Sequence, residues 1–389
     1  MAATKKKSAQ SRTGRALALT TALTLLTTGL TGCWPKKKKR APGAQTVASI
    51  SVDWTTELSV NIEDGRHVFQ GQVEVSGVSL STGGAVALTE ADVSLEVLLD
   101  GEALDSESLL DESELDSELL LTMVLDASYS MVVDHTPRAF EPMLGAAQSS
   151  ARRILDQWRE RGDDAFQSWV WFDDYIYDPY GSADYNTANI TLIPAPDAGT
   201  DTRLYGAMNF MLDRHESLRA QGNAAGLTDR HIMIVFTDGA DNRSQFVSPV
   251  QTTVVQEPFR HQRSRPDTES SLTSVADRLM LTPYLTAYII AFGSDVNAQD
   301  LQALAQASAS AQPNGGAGLE NFRTGQDTAN IQTIFDAISQ QIQSVRNVGA
   351  RDPRPLIGQH EITIRAISKA DNSVIGQSTP KLFAGGVPQ

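Results

Sequence analysis

The chain has 389 residues, enough for two or three domains. It carries 47 acidic against 32 basic residues, a net charge of −15 that disfavours nucleic acid as a partner. A single cysteine excludes a disulfide framework and any zinc site built on thiolates.

The first fifteen residues hold Lys5, Lys6, Lys7, Arg12 and Arg15 and no acid, and Ala16 to Leu30 is almost wholly apolar residues and threonine. A core of that length suits a signal peptide and is short for a membrane span. It ends in Leu30-Thr31-Gly32-Cys33, which resembles the lipobox of bacterial lipoproteins. The resemblance implies that residues 1–32 are removed and that Cys33 is lipidated. The acyl chains would then anchor the protein to a membrane of the bacterial cell envelope, outside the cytoplasm, without a transmembrane helix. Trp34 stands where an aspartate would be the inner-membrane signal, so the outer membrane is favoured over the inner. Residues 1–32 hold five of the 32 basic residues and none of the 47 acidic ones, so the remainder carries −20. Lys36 to Arg40 reads as a solvated tether that can also lie on anionic headgroups, worth about 1 kcal/mol per basic residue near the surface. Residues 33–47 are assigned to this tether.

Residues 48–118 read as a β-rich segment. Ile50–Trp54, His67–Val75 and Asp92–Val97 alternate apolar and polar between Gly, Ser and Asp clusters. Glu96 to Glu118 contains ten acids and no base and is expected to be a solvated linker.

From residue 119 the pattern alternates strand and helix, as in an α/β sheet. Leu119 to Leu125 is an apolar run that reads as a strand buried on both faces, and it ends in Asp126-Ala127-Ser128-Tyr129-Ser130. Met143, Leu144, Ala147, Ala151, Ile154, Leu155 and Trp158 form one helical stripe. Trp169 to Phe172 is the next strand. Thr202-Arg203-Leu204 then opens a helix. His231 to Phe236 is another buried strand, ending in Thr237-Asp238-Gly239. Gln245 to Ser270 is a long polar stretch, read as a partner-recognition loop or a mobile insertion. Leu285 to Phe292 is a strand and Asp300 to Ala307 a helix. Ile331, Ile334, Phe335, Ile338 and Ile342 mark the last helix, with Asp327 as its cap. Beyond Ala350, Glu361 to Ile367 and Ser373 to Gly376 read as two more strands, a piece too short to fold alone.

Three segments therefore place oxygen donors where elements begin or end, at the carboxyl side of a sheet where ligands bind. The D-x-S-x-S segment, the threonine ahead of a helix and the Thr-Asp-Gly strand end resemble, in that order, the metal ion-dependent adhesion site of von Willebrand factor type A domains. The resemblance covers about Leu119 to Arg346. It implies a doubly wound, mostly parallel sheet flanked by helices, over residues 119–349. Ser128, Ser130 and Thr202 would be direct ligands and Asp126 and Asp238 would act through water. Thr200 is the alternative to Thr202; Leu204 and Met208 stand two and six residues beyond Thr202, as the family pattern has them. Hard oxygen donors suit Mg²⁺, or Mn²⁺ or Ca²⁺. Residues 350–389 would complete a small antiparallel β domain with residues 48–118.

Other readings are weaker. Arg161-Gly162-Asp163 falls where the first helix ends and glycine serves as a C-cap. The six histidines show no metal-ligand spacing and no serine has a nucleophile-elbow sequence, so no enzymatic activity is expected. The expected function is cation-dependent binding of a protein partner that supplies an Asp or Glu to the metal. The alternative is a structural component of an envelope complex in which the metal is only structural.

Overall fold

A computed structural model of the protein describes residues 47–63, 66–79, 85–88, 92–110, 115, 117–134, 139–160, 164–178, 201–221, 229–239, 241–242, 244, 252–256, 259–264, 270–293, 296–312, 321–352, 354 and 356–385. Residues 1–46, which hold the expected signal peptide, Cys33 and all but the last residue of the expected tether, lie outside them, as do Arg161-Gly162-Asp163 and Thr200.

The first strands are β1 (Val47–Trp54), β2 (Ser59–Glu63), β3 (Arg66–Ser79), β4 (Ala85–Ala87), β5 (Val93–Leu99) and β6 (Glu102–Ala103). The chain then enters an α/β unit. Its elements are β7 (Glu118–Asp126), a π-helical turn (Ser130–Asp134), α1 (Phe140–Glu160), β8 (Asp164–Phe172), β9 (Ile176–Asp178), α2 (Leu204–Ala220) and β10 (Arg230–Thr237). They continue with β11 (Thr252–Gln256), β12 (Phe259–Ser264), α3 (Leu272–Met280), β13 (Leu285–Phe292), α4 (Ala298–Ser310), β14 (Phe322–Gly325) and α5 (Thr328–Gln343). Four strands close the chain: β15 (Val345–Asp352), β16 (Gly358–Ser368), β17 (Val374–Gln377) and β18 (Lys381–Gly385).

The sheet of the α/β unit has the order β11-β12-β9-β8-β7-β10-β13-β14. Strands β8, β7, β10, β13 and β14 are parallel, and β9 turns back antiparallel on β8. Residues 119–126 of β7 and all of β10 are buried, because helices cover both faces of a parallel sheet. Leu119, Leu121, Met123 and Leu125 face α1 and α5 with Trp158, Phe335 and Ile338. Val124, Met233 and Val235 face the opposite layer with Met208, Met211, Val275 and Leu304 from α2, α3 and α4. Asp327 caps α5 by accepting from Ala329 N. Among the described residues no helix is long and apolar enough to cross a membrane.

The stretch expected to be a polar loop after residue 245 contains a hairpin. β11 and β12 pair antiparallel, and β12 adds to β9 at the sheet edge. Four successive β-branched residues, Thr252 to Val255, favour that outcome over an open loop. The acidic run is likewise not a free linker. Its first residues end β5, Leu110 N donates to Gly349 O at 3.0 Å, and Leu115 is buried. Its leucines override its charge by packing on β15.

The remaining strands form two antiparallel sheets. In one, β3 is flanked by β1 and β2 along one edge and by β15 and β4 along the other. In the other, β16 pairs with β5, β17 and β18. Their inner faces share one core that includes Trp54, Phe69, Val73, Val97, Ile362 and Ile364. This small β domain is therefore built from N-terminal and C-terminal segments. Strand β15 follows α5 with only Ser344 between, and Val75 N donates to Ser344 O at 3.1 Å.

Gly71 in β3 lies under the Trp54 ring: a Cβ there would come within 2.8 Å of Trp54 Cζ3. The indole cannot swing away freely, because it is buried and its Nε1 donates to Thr379 O at 3.0 Å. Gly71→Ala, which intrinsic strand preference would favour, should instead destabilise by about 1–3 kcal/mol through overpacking. The urea midpoint of the full-length chain reads this, and an unchanged or higher midpoint would contradict it.

Candidate functional site

The site lies at the carboxyl ends of β7 and β10, where the chain changes direction across the sheet: β8 and β9 lie to one side of β7, and β10, β13 and β14 to the other. The parallel register pairs Leu125 with Phe236, so Asp126 and Thr237 follow side by side. The Thr237 hydroxyl donates to Asp126 Oδ2 at 2.5 Å, and Ser128 N donates to Asp126 Oδ1 at 2.8 Å. The Ser130 hydroxyl donates to Asp238 Oδ1 at 2.9 Å and lies 3.1 Å from Ser128 Oγ. Asp126, Ser128, Ser130 and Asp238 thus form one connected polar cluster. Asp126 is fully buried, and Ser128 and Asp238 nearly so. Tyr129, between the two serines, is 42% exposed and marks the open side.

Thr202 reaches the cluster through the next loop. It is buried, and its Oγ1 lies so near Gly239 that a Cβ on that glycine would sit 3.1 Å away. A larger residue at 239 would press on the hydroxyl. The fold therefore joins four residues of the preferred set in one cluster and sets Thr202 against Gly239, the neighbour of Asp238.

Several participants were not visible from the sequence. Thr237 was read only as part of a strand end, yet its hydroxyl bonds Asp126 and receives Gly239 N at 3.2 Å. Asp241, Asn242 and Ser244 follow: Asp241 and Ser244 accept from the first turn of α2, and Asn242 accepts from Thr202 N ahead of it. Asp173 is buried just after β8, with Tyr175 N donating to its Oδ1 at 2.8 Å. Short polar residues of the Asp, Asn and Ser type directly after Gly239 were the available signal, since they cap helices and turns.

Two carboxyl groups in one water-poor cluster cannot both ionise cheaply. Burial first, and then the Asp238 carboxylate, push the Asp126 carboxyl up to about 7, against the opposing pull of bonds from Ser128 and Thr237. The donors are two carboxylates and three hydroxyls, all hard oxygen ligands, and no described set of three His, Cys, Asp or Glu residues converges to hold a metal. Such a set suits a small hard divalent cation and not a soft one.

The strand order β9-β8-β7-β10-β13-β14 with a short antiparallel edge, joined to Ser-x-Ser after the first strand, a threonine ahead of α2 and an aspartate after the fourth strand, decides the architecture. The fold is that of a von Willebrand factor type A domain with an added β domain. No protein-family model and no curated protein sequence matches the chain. Among solved structures, it is similar to proximal thread matrix protein 1 from the mussel byssus, with 11% identity, a TM-score of 0.38, and 63% of this chain and 50% of that one covered. It is also similar to a von Willebrand factor type A protein from Catenulispora acidiphila, with 11% identity, a TM-score of 0.35, and 89% and 75% covered. A third is the von Willebrand factor domain of the type V pili tip protein Mfa5 from Porphyromonas gingivalis, with 13% identity, a TM-score of 0.35, and 58% and 95% covered. The chain spans about half the length of the mussel protein.

The protonation of Asp126 has a measurable consequence. Without a cation, the folded chain keeps this proton up to about pH 7, whereas a free carboxyl loses it near 3.8. The folded state then binds more protons in that window, so the Asp126 contribution to stability falls as pH rises from 3.8 towards 7. Asp126→Asn should remove this fall. Melting temperatures in chelator between pH 4 and 8 should show the variant gaining on the wild type as pH rises. A constant difference would mean that Asp126 is ionised throughout.

Proposed function

We propose that the type A domain holds a divalent cation, Mg²⁺ or Mn²⁺ before Ca²⁺, and through it binds an acidic side chain of a protein partner. The observation that carries this reading is the cluster in which Asp126 accepts from Ser128 N, Asp238 accepts from the Ser130 hydroxyl and the two serine hydroxyls lie 3.1 Å apart, at the open end of the sheet. Ser128, Ser130 and Thr202 would hold the ion directly. Asp126 and Asp238 would balance its charge and orient the hydroxyls. When bound, the ion would supply a positive centre able to accept a carboxylate oxygen from outside. No group with the geometry of a nucleophile and base is invoked, and the activity proposed is binding.

The protein would sit in a bacterial cell envelope, outside the cytoplasm and on the outer rather than the inner membrane, held by lipid on Cys33 after removal of residues 1–32. Residues 33–47 would serve as tether, residues 119–349 as the binding domain, and residues 48–118 and 350–389 as its β support. Cys33 is the sole cysteine and directly follows Leu30-Thr31-Gly32, which supports this address. Of the similar structures, one is the mussel protein with a zinc-occupied adhesion motif, and one is a domain of a pilus tip protein.

Calorimetry on the full-length chain should show one site for Mg²⁺ or Mn²⁺, abolished by Ser128→Ala and weakened more by Thr202→Ala than by Thr200→Ala. Asp238→Ala should lower affinity about 10–100-fold, the usual scale for removing a group that orients ligands. A partner crosslinked to intact cells in Mg²⁺ should be released by chelator. Retention of the partner in chelator would favour the structural role instead, and unchanged metal binding in Ser128→Ala would overturn the site.

The anchor is tested separately. A fatty-acid analogue should label the wild-type chain in cells and leave Cys33→Ser unlabelled. Membrane-bound protein that retains residues 1–32 and takes up no label would refute it.

A further inference from the structure

We propose that Asp241, Asn242 and Ser244 form a latch that positions Thr202 for the cation, a role that rests on the site proposed above. The start of α2 carries the argument. Its N-cap is Arg203, which makes no side-chain cap bond. Threonine is a favoured cap residue, and the hydroxyl of Thr202 stands one position earlier. It is not used that way and faces Gly239 instead. The capping is supplied from another loop. Asp241 Oδ2 accepts from Tyr205 N at 2.8 Å, and Ser244 Oγ accepts from Gly206 N at 2.8 Å. Ser244 in turn donates to Asp241 through N at 2.9 Å and through Oγ at 2.5 Å, which fixes the carboxylate. Asn242 grips Thr202 itself at two points: its Oδ1 accepts from Thr202 N at 2.8 Å, and its own N donates to Thr202 O at 3.1 Å.

The loop that holds these three residues begins at Asp238. One segment therefore sets both Asp238 and Thr202, which lie on different elements of the site. The acidic cap also places negative charge at the positive end of α2, so the helix is satisfied without borrowing an oxygen from the cluster. Asp241, Asn242 and Ser244 touch the backbone around Thr202 and act through it. They are positioning residues.

Asn242 is exposed, so its replacement should leave the fold intact. In the full-length chain, Asn242→Ala should lower Mg²⁺ affinity about 10–100-fold with little change in melting temperature. Asn242→Asp, which keeps the acceptor for Thr202 N, should restore most of it. In a Thr202→Ala background, Asn242→Ala should cost nothing further, because the group it positions is gone. Additive losses in that cycle, or Asn242→Ala binding within two-fold of wild type while Thr202→Ala is weakened, would overturn the latch. A second readout is independent of any cation. In chelator, Asp241→Ala and Ser244→Ala should speed amide hydrogen exchange at Tyr205 and Gly206 and leave the amides of β10 unchanged. Unchanged exchange at both helix amides would also overturn the latch. A wild-type chain that binds no Mg²⁺ or Mn²⁺ would instead defeat the cation site, with the exchange result still deciding whether the loop holds the helix.

Discussion

Two carboxylates held at the ends of adjacent strands are the constraint around which this domain is arranged. Asp126 and Asp238 sit one residue past the last apolar residue of β7 and just beyond β10, where the parallel register of the two strands keeps them close. Their repulsion is strong because the surroundings are dry and few hydroxyls are available to share the charge. A proton can relieve it, and so can a cation. The long apolar strands beneath are what make the relief selective. The buried ends of β7 and β10 hold the acids close, and whatever neutralises them must fit between the hydroxyls already there.

The β domain gives that sheet a fixed mounting. The chain enters the α/β unit just after Ser117 and leaves it through Ser344 into β15, and the two passages are joined: Asn347 Nδ2 on β15 donates to Ser117 Oγ at 2.9 Å. Gln72 on β3 donates to Asn347 Oδ1 at 2.9 Å, so the junction is pinned to the sandwich as well. Arg346 is buried and donates to Val93 O and Leu88 O. Entry and exit that lie together are the arrangement in which one domain can be inserted into another without strain. They also mean that both parts of the sandwich must be present before its core can close.

The sequence carried the buried parallel strands and the amphipathic helices clearly, because burial on two faces or along one stripe leaves a direct trace in residue type. It also carried Asp126, Ser128, Ser130, Thr202 and Asp238 as oxygen donors at element ends, and it was the resemblance to the type A adhesion site that grouped them in that order. Local pattern failed where tertiary contact decides. β9 and β14 have three and four residues and exist because a neighbour offers an edge. The β11–β12 hairpin was hidden by polar composition, and the acidic run by its charge, although Leu109, Leu110 and Leu115 were there to be read as packing residues. His215 and His231 are 16 positions apart, yet their Nδ1 atoms lie 2.8 Å apart in the core, next to Thr122. Burial first, then His231 and Arg214, hold His215 well below its usual pKa. A helix residue and a strand residue reveal such a pairing only once they are packed.

Thr202 shows how local chemistry and tertiary contact combine. By sequence it is a helix-capping residue in nearly the right place, and that role would consume its hydroxyl. Capping from the loop after β10 removes the competition. The cost is that α2 no longer sets its own first turn: its position depends on a loop that also carries Asp238. The hydroxyl side and the carboxylate side of the site are therefore not independent. A shift of residues 238–244 moves both together, whereas a shift of β7 moves Asp126 and the serines alone. The geometry between those two bodies is the degree of freedom that a bound cation would restrict, and it is restricted from each side by a single short segment.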